Sequence, residues 1–278
     1  MERRIEPAPE PAVVFSVFGP MVMTGRLVNG EQSDRPTYGY ASPHRRVYMN
    51  APFYNWRAFT EECAVSDFYW PMVRGQPLVS NMVDVCDDGS RTLLIYNEPE
   101  LGRYHAEPDE AVIFVHDWAE RWHGPIVCCG NFYDRVMGAQ YSGLGWFRAF
   151  VAEWEEQYGS PPPLAALHLH VYEFRSLNLP VLEEWRALAD DYGWPIYVTE
   201  SGTFPSEAYS PEEVAARLPG FLGGVEQVLQ PAVVMWFSDY IEAGALGPDA
   251  AAWERFNLYT KDGALTVVAK AWQAWIYR

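Results

Sequence analysis

The chain is short of positive charge: 20 Lys and Arg stand against 37 Asp and Glu in 278 residues, a formal net charge of −17. Phosphate backbones are held by clustered cations that release counterions, so nucleic acid is excluded as a partner class. A neutral polysaccharide meets no such objection. Cysteine is scarce as well. Cys128 and Cys129 are adjacent, Cys63 and Cys86 lie in separate helical stretches, and no C-x-x-C or Cys/His ligand spacing is present. All four read as buried thiols. Long hydrophobic runs are missing: the segment 12–18 is too short for a membrane span, and Met1-Glu2-Arg3-Arg4 leads into proline-rich sequence rather than a signal h-region. The expectation is a soluble monomer that does not bind membranes and is secreted only if a leader has been removed. Finally, no Ser/Gly linker, low-complexity stretch or internal repeat divides the chain. One domain over 12–278 is expected, preceded by an extended arm over 1–11.

Apolar runs are plentiful at strand length. They recur at 12–18, 46–50, 67–73, 92–97, 125–130, 165–171, 195–200 and 232–237, and strands buried on both faces read as such nearly continuous runs. Helical patterns lie between them. Ala111, Phe114, Val115, Trp118, Ala119 and Trp122 share one face after Pro108, and Val181, Leu182, Trp185, Leu188, Ala189 and Tyr192 form a second stripe. Ser210 with Glu213 makes a capping box, and Pro219-Gly220 is expected to break the helix that follows. Strand and helix alternating eight times predict an α/β protein, a single-domain (β/α)8 TIM barrel. Twelve Trp residues, part of a 15% aromatic content, fit both a core and a sugar-stacking surface. Trp118, Trp122, Trp185 and Trp272 fall on helix stripes and belong to the core.

Two glutamates end apolar strands: Glu98 in Leu93-Leu94-Ile95-Tyr96-Asn97-Glu98-Pro99 and Glu200 in Ile196-Tyr197-Val198-Thr199-Glu200. A carboxylate at such a position must face something other than core, and barrel strand ends carry the chemistry. By count they end strands four and seven, on opposite sides of a barrel mouth. One carboxylate can then protonate a leaving oxygen while the other attacks or steadies the sugar carbon, with the carboxyls roughly 5 Å apart for retention. Asn97 beside Glu98 suits the sugar 2-hydroxyl. Alternation places His168, His170 and Tyr172 on one face of strand six. His170 and Tyr172 are the site candidates, and His168 reads as a satisfied buried histidine. Tyr54, Trp56, Trp70, Asn131, Tyr133 and Phe204 follow strand ends, where each can line a groove or pack.

The segments Tyr54-Asn55-Trp56, Phe68-Tyr69-Trp70-Pro71-Met72, Tyr96-Asn97-Glu98-Pro99-Glu100 and Trp194-Pro195-Ile196-Tyr197-Val198-Thr199-Glu200 resemble the clan A glycoside hydrolases, and within that clan the small catalytic-core proteins of family 128, which act on β-1,3-glucans. The resemblance implies a retaining polysaccharide hydrolase, an endo-β-1,3-glucanase among the options, with Glu98 as acid/base and Glu200 as nucleophile. No cofactor and no metal are expected. The resemblance further assigns His170 or Tyr172 to support of the nucleophile, and Trp236 to the floor of a sugar subsite, although a Trp within an apolar run also suits the core. One departure stands out: Arg46 and Arg74 fall in no clear motif, which leaves the arginine usual beside the nucleophile unassigned. The loop 19–45 is longer than a minimal barrel needs.

Competing readings remain open at this level. A non-catalytic sugar-binding barrel would keep the groove without turnover, and another clan A family would act on mannan, xylan or β-1,4-glucan. A metal-dependent hydrolase could use the H-x-H pair of strand six, but strand one, Val13 to Phe18, offers no ligand.

Overall fold

A computed structural model describes residues 37–41, 52–54, 68–74, 91–101, 105–173, 176–203, 209–238 and 254–278. The expected arm over 1–11, the expected strands at 12–18 and 46–50, and Arg46, Trp56, Cys63, Cys86 and Phe204 lie outside these residues.

The described residues form an α/β single domain around one curled parallel sheet. Its strands are β1 (Thr37–Ala41), β2 (Phe53–Tyr54), β3 (Met72–Val73), β4 (Leu93–Ile95), β5 (Ile126–Phe132), β6 (Ala166–Glu173), β7 (Ile196–Thr203) and β8 (Val233–Phe237). Their order is β2-β1-β8-β7-β6-β5-β4-β3, every pairing parallel. The two end strands are also linked, because the Phe53 N–H donates to the Phe68 carbonyl (3.1 Å) and the Trp70 N–H to the Phe53 carbonyl (2.9 Å) in a parallel bridge of Phe53 with Tyr69. Strands β3 to β8 fall within or beside the expected runs. β1 and β2 do not: β1 sits in what reads as the first loop, and pairs along β8 from Thr37↔Val233 to Ala41↔Phe237.

Helices α1 (Pro108–Ala119), α2 (Gly143–Tyr158), α3 (Leu179–Tyr192), α4 (Pro211–Leu229) and α5 (Val267–Ile276) alternate with the later strands. Their ends follow local chemistry. The Ser142 and Thr266 hydroxyls accept the Gly145 and Ala269 N–H groups, and Ser210 and Glu213 complete the capping box. Gly159 and Gly193 close α2 and α3 at φ 69° and 70°, a left-handed turn that disfavours side chains. Contrary to expectation, α4 runs unbroken through Pro219. The stripe Val214, Leu218, Phe221, Leu222, Val225 and Leu229 stays buried, whereas Pro219 is exposed. A proline on the solvent side leaves the freed carbonyl to water, and burial of the stripe, roughly 1.5–3 kcal/mol per large side chain, outweighs the missing bond.

The core between sheet and helices is aromatic. Trp118, Trp122, Trp185 and Trp272 are all buried there, as their stripes require. Indole N–H groups in such a core need acceptors. Trp122 donates to the Arg91 carbonyl (3.1 Å), Trp146 to that of Ala106 (2.7 Å) and Trp185 to that of Tyr133 (2.8 Å).

Candidate active site

Register shifts gather at one level of the sheet: between Cys129 and Asn131 in β5, between Leu169 and His170 where β6 meets β7, and between Val198 and Ser201 where β7 meets β8. In a regular strand adjacent side chains point to opposite faces, and a bulge relaxes that rule. Thr199 and Glu200 accordingly both reach side chains of β6. The Thr199 hydroxyl lies 3.0 Å from His168 Nδ1, while Glu200 Oε2 accepts the Tyr172 hydroxyl at 2.6 Å. Glu200 Oε1 accepts a second phenol, that of Tyr54 at 2.9 Å.

Glu98 reaches the same place by a different route. Past β4 the chain takes left-handed conformations at Tyr96 (φ 64°) and Glu98 (φ 53°), which cost of order 1 kcal/mol or more for residues with a Cβ. The Glu98 N–H donates to the Gly130 carbonyl at 3.0 Å, and Leu101 N–H closes the turn on the Glu98 carbonyl at 2.9 Å. Gly130 is a glycine for two reasons: its φ is 66°, and a Cβ there would stand 2.7 Å from His168 Cε1.

The result is a cluster. His170 Nδ1 donates to Glu98 Oε1 at 3.0 Å and stands 3.5 Å from Glu200 Oε2, and the three donor atoms of Glu98, His170 and Glu200 all fall within 4.8 Å of one another. The His170 side chain is wholly buried and that of Glu200 nearly so, while Glu98 is 23% exposed. Burial alone would lower the His170 pKa, but the Glu200 charge, then the Glu98 hydrogen bond and charge, outweigh it and favour the imidazolium. Burial and the Glu200 charge push the Tyr54 and Tyr172 phenols well above their ordinary value, so both remain O–H donors to the carboxylate. The same cluster has a spacing that a metal ion would accept. His168 stands apart from it, since its ring nitrogens are taken by Ile95 carbonyl (2.9 Å) and Thr199.

Other expected site residues are placed differently. Asn97 is buried beside Glu98 with its Oδ1 unpartnered among the described residues. Asn131 is fully buried and does not face an open groove; its Nδ2 donates to Glu100 Oε2 at 2.9 Å. Trp70 stacks on Tyr197 at 5.6 Å. Since Tyr197 is the second residue of β7, three before Glu200, Trp70 packs toward the end of the sheet away from the carboxylates. Trp236 is completely buried, donates to the Phe256 carbonyl at 2.9 Å and packs on Trp272 of α5 at 5.3 Å. It therefore belongs to the layer between sheet and helices and is not a sugar platform. Its neighbour Phe237 instead stands edge-on to Tyr172 at 6.0 Å. Tyr133 is core, its hydroxyl accepting the Asn178 N–H. Cys128 and Cys129, expected as thiols, are joined in a disulfide between chain neighbours.

Two roles went unread in the sequence. Tyr54 reads only as a groove candidate, yet it holds Glu200. Glu100 is a buried carboxyl whose oxygens accept the Phe132 N–H (2.6 Å) and Asn131 Nδ2, and whose pKa burial pushes up to about 7.

A parallel α/β sheet that brings one carboxylate from β7 and one from the turn after β4 into a single cluster has the pair that glycosidic bond cleavage uses. Consistent with this, residues 49–270 match the family model described as glycosyl hydrolase catalytic core, and the chain belongs to that family. Comparison with curated proteins gives no match. Among solved structures, the chain is similar to a GH128 subgroup II endo-β-1,3-glucanase from Pseudomonas viridiflava, at 19% identity and TM-score 0.66, over 85% of this chain and 96% of that one. It is similar to a subgroup I endo-β-1,3-glucanase from Amycolatopsis mediterranei in complex with laminaritriose, at 17% and 0.62, over 86% and 99%. A subgroup V exo-β-1,3-glucanase from Cryptococcus neoformans shares 16% identity at TM-score 0.53, over 84% and 96%. At these identities the likeness is one of fold. No helix among the described residues is long and apolar enough to cross a membrane.

Proposed function

We propose that the protein is a retaining endo-β-1,3-glucanase built on a closed clan A (β/α)8 barrel, with Glu98 as acid/base and Glu200 as nucleophile. Closure is supported by the Phe53–Tyr69 bridge between the end strands. The carrying observation is the spacing of Glu98 and Glu200, whose donor atoms lie within 4.8 Å across His170. Retaining pairs stand about 5–5.5 Å apart and inverting pairs about 6.5–9.5 Å, because only the latter hold a water between them. The glucan assignment is supported by the β-1,3-glucanases that share the fold.

The two environments suit the two roles. Glu200, nearly buried, accepts the Tyr54 and Tyr172 hydroxyls and is fixed in place to attack the anomeric carbon. Glu98, partly open to solvent, can be reached by the leaving oxygen and by water. In the first step Glu200 attacks the anomeric carbon and Glu98 protonates the departing glycosidic oxygen. In the second, Glu98 takes a proton from water, the water oxygen displaces Glu200, and the product leaves with retained configuration. As Glu200 regains its charge, the Tyr54 and Tyr172 hydroxyls are already in place to receive it. Asn97, next to Glu98 in the chain, is the residue assigned to the sugar 2-hydroxyl.

Azide tests the allocation. Glu98→Ala should cripple hydrolysis of laminari-oligosaccharides yet spare the first step on an aryl β-glycoside, and added azide should restore turnover and give the β-azide. Glu200→Ala should lose both substrates, and azide should give the α-azide. Opposite anomers, or activity left intact in both variants, would overturn the reading.

A further inference from the structure

Glu100 lies two residues beyond Glu98 on the same turn, but its contacts are with other elements. Phe132 N–H holds Oε1 at 2.6 Å and Asn131 Nδ2 holds Oε2 at 2.9 Å, so the last two residues of β5 grip both oxygens. Gly143, which opens α2, allows this approach: a Cβ there would lie 3.2 Å from Oε1 and 1.9 Å from the Phe132 carbonyl. One carboxyl therefore ties the β4 turn to β5 beside the start of α2. Phe132 is also the register partner of His170. The grip on Phe132 thus bears on the strand pair that presents His170 to Glu98.

We propose that Glu100 is a positioning residue for the acid: it clamps the strained left-handed turn at Tyr96 and Glu98 onto β5, so that Glu98 meets His170 and the leaving oxygen in one geometry. This rests on Glu98 being the acid/base. The turn needs such a clamp because two left-handed residues favour relaxation, and without Glu100 the buried Phe132 N–H and Asn131 Nδ2 lose their acceptor. The buried side-chain amide of Asn131, expected from sequence to meet substrate, serves the clamp instead.

The test compares substrates that need a proton with one that does not. In Glu100→Ala, kcat on laminaripentaose should fall roughly 10- to 100-fold with KM within about threefold, while the phenolate burst from an aryl β-glycoside stays within about threefold. Glu100→Gln should recover most of the loss, since its amide oxygen keeps the Phe132 bond and Asn131, turned over, offers the new NH2 its Oδ1, which has no partner among the described residues. Equal losses on both substrates, or no loss, would overturn the clamp. If Glu100→Ala does not fold, Asn131→Ala removes one tether from the other side and should show the same selectivity at smaller size; its absence counts equally against the proposal. Glu98→Ala in the same assays separates the two readings. If Glu98→Ala is selective and Glu100→Ala is not, the acid assignment stands and the clamp falls. If Glu98→Ala is not selective, the acid assignment falls and the clamp with it.

Discussion

His168 and His170 stand two residues apart on β6, both fully buried, with ring centroids 6.1 Å apart. They belong to different layers. In the lower layer both nitrogens of His168 are used: Nε2 faces the Ile95 carbonyl and must carry the proton, which leaves Nδ1 to accept from the Thr199 hydroxyl. Burial and then the His170 charge lower its pKa to about 3, so the ring is neutral. In the upper layer His170 faces two carboxylates, its pKa is raised, and its Nε2 has no partner among the described residues. Burial is the same in both layers. What separates the histidine held by backbone and hydroxyl from the one set between carboxylates is the register shift between them, past which β7 brings Glu200 and the β4 turn brings Glu98 to the ring.

Exchanging each ring for an amide breaks the comparison most sharply. His170→Gln should lower kcat on laminari-oligosaccharides roughly 100-fold or more, the scale of a lost acid–base partner, with the fold kept. His168→Gln should act on stability, because both amide heteroatoms sit at the tip of the side chain and cannot replace Nδ1 and Nε2 together, which leaves one buried group unmade at about 1–3 kcal/mol, with kcat within about threefold. Denaturation curves and initial rates on both variants check this. Equal kinetic losses would mean that the two layers are one unit.

Much of the upper layer was legible because strand ends are legible. Glu98 and Glu200 each come two residues after an apolar run, although β7 carries on past Glu200 to Thr203, and period-two alternation is enough to group His170 with Tyr172. What failed was the choice of face. Trp236 and Phe237 are consecutive in an all-apolar strand, so no pattern says which one meets Tyr172 and which one meets Trp272. Trp70 was read as following a strand, whereas it precedes β3. β1 escaped because Thr37-Tyr38-Gly39-Tyr40-Ala41 is no apolar run, and β2 is only two residues long. Glu100 escaped because its partners Asn131 and Phe132 lie 31 and 32 residues away, and a glutamate after Glu98-Pro99 reads as an exposed turn residue.

A smaller effect sharpens the upper layer. Tyr172→Phe and Tyr54→Phe each remove one hydroxyl from Glu200, and a hydrogen bond to a charged group contributes about 1.5–3 kcal/mol. Each should therefore cost roughly 10- to 150-fold in kcat with little change in Tm. Because both hydroxyls serve one carboxylate, the double variant should depart from additivity. Additive losses would show that the phenols act on separate steps.

The smallest effect is on stability against pH, and it pits the two kinds of buried group against each other. Glu100 is raised from 4.5 to about 7 by burial, so the folded chain binds its proton more tightly than the unfolded chain does. Its contribution is full below 4.5 and is lost as pH rises through about 7. His168 is lowered from 6.5 to about 3, so its contribution is full above 6.5 and is lost as pH falls toward 3. Between 4.5 and 6.5 the two oppose each other, and the wild-type curve conceals both. Difference curves separate them. From about pH 5 to about pH 8, wild type should lose Tm relative to Glu100→Gln, by a few degrees and by no more than about 3 kcal/mol. Over the range from 3 to 6.5, wild type should gain relative to His168→Gln. A flat difference for Glu100→Gln would mean that its carboxyl is ionised throughout, with the grip of Phe132 and Asn131 outweighing its burial.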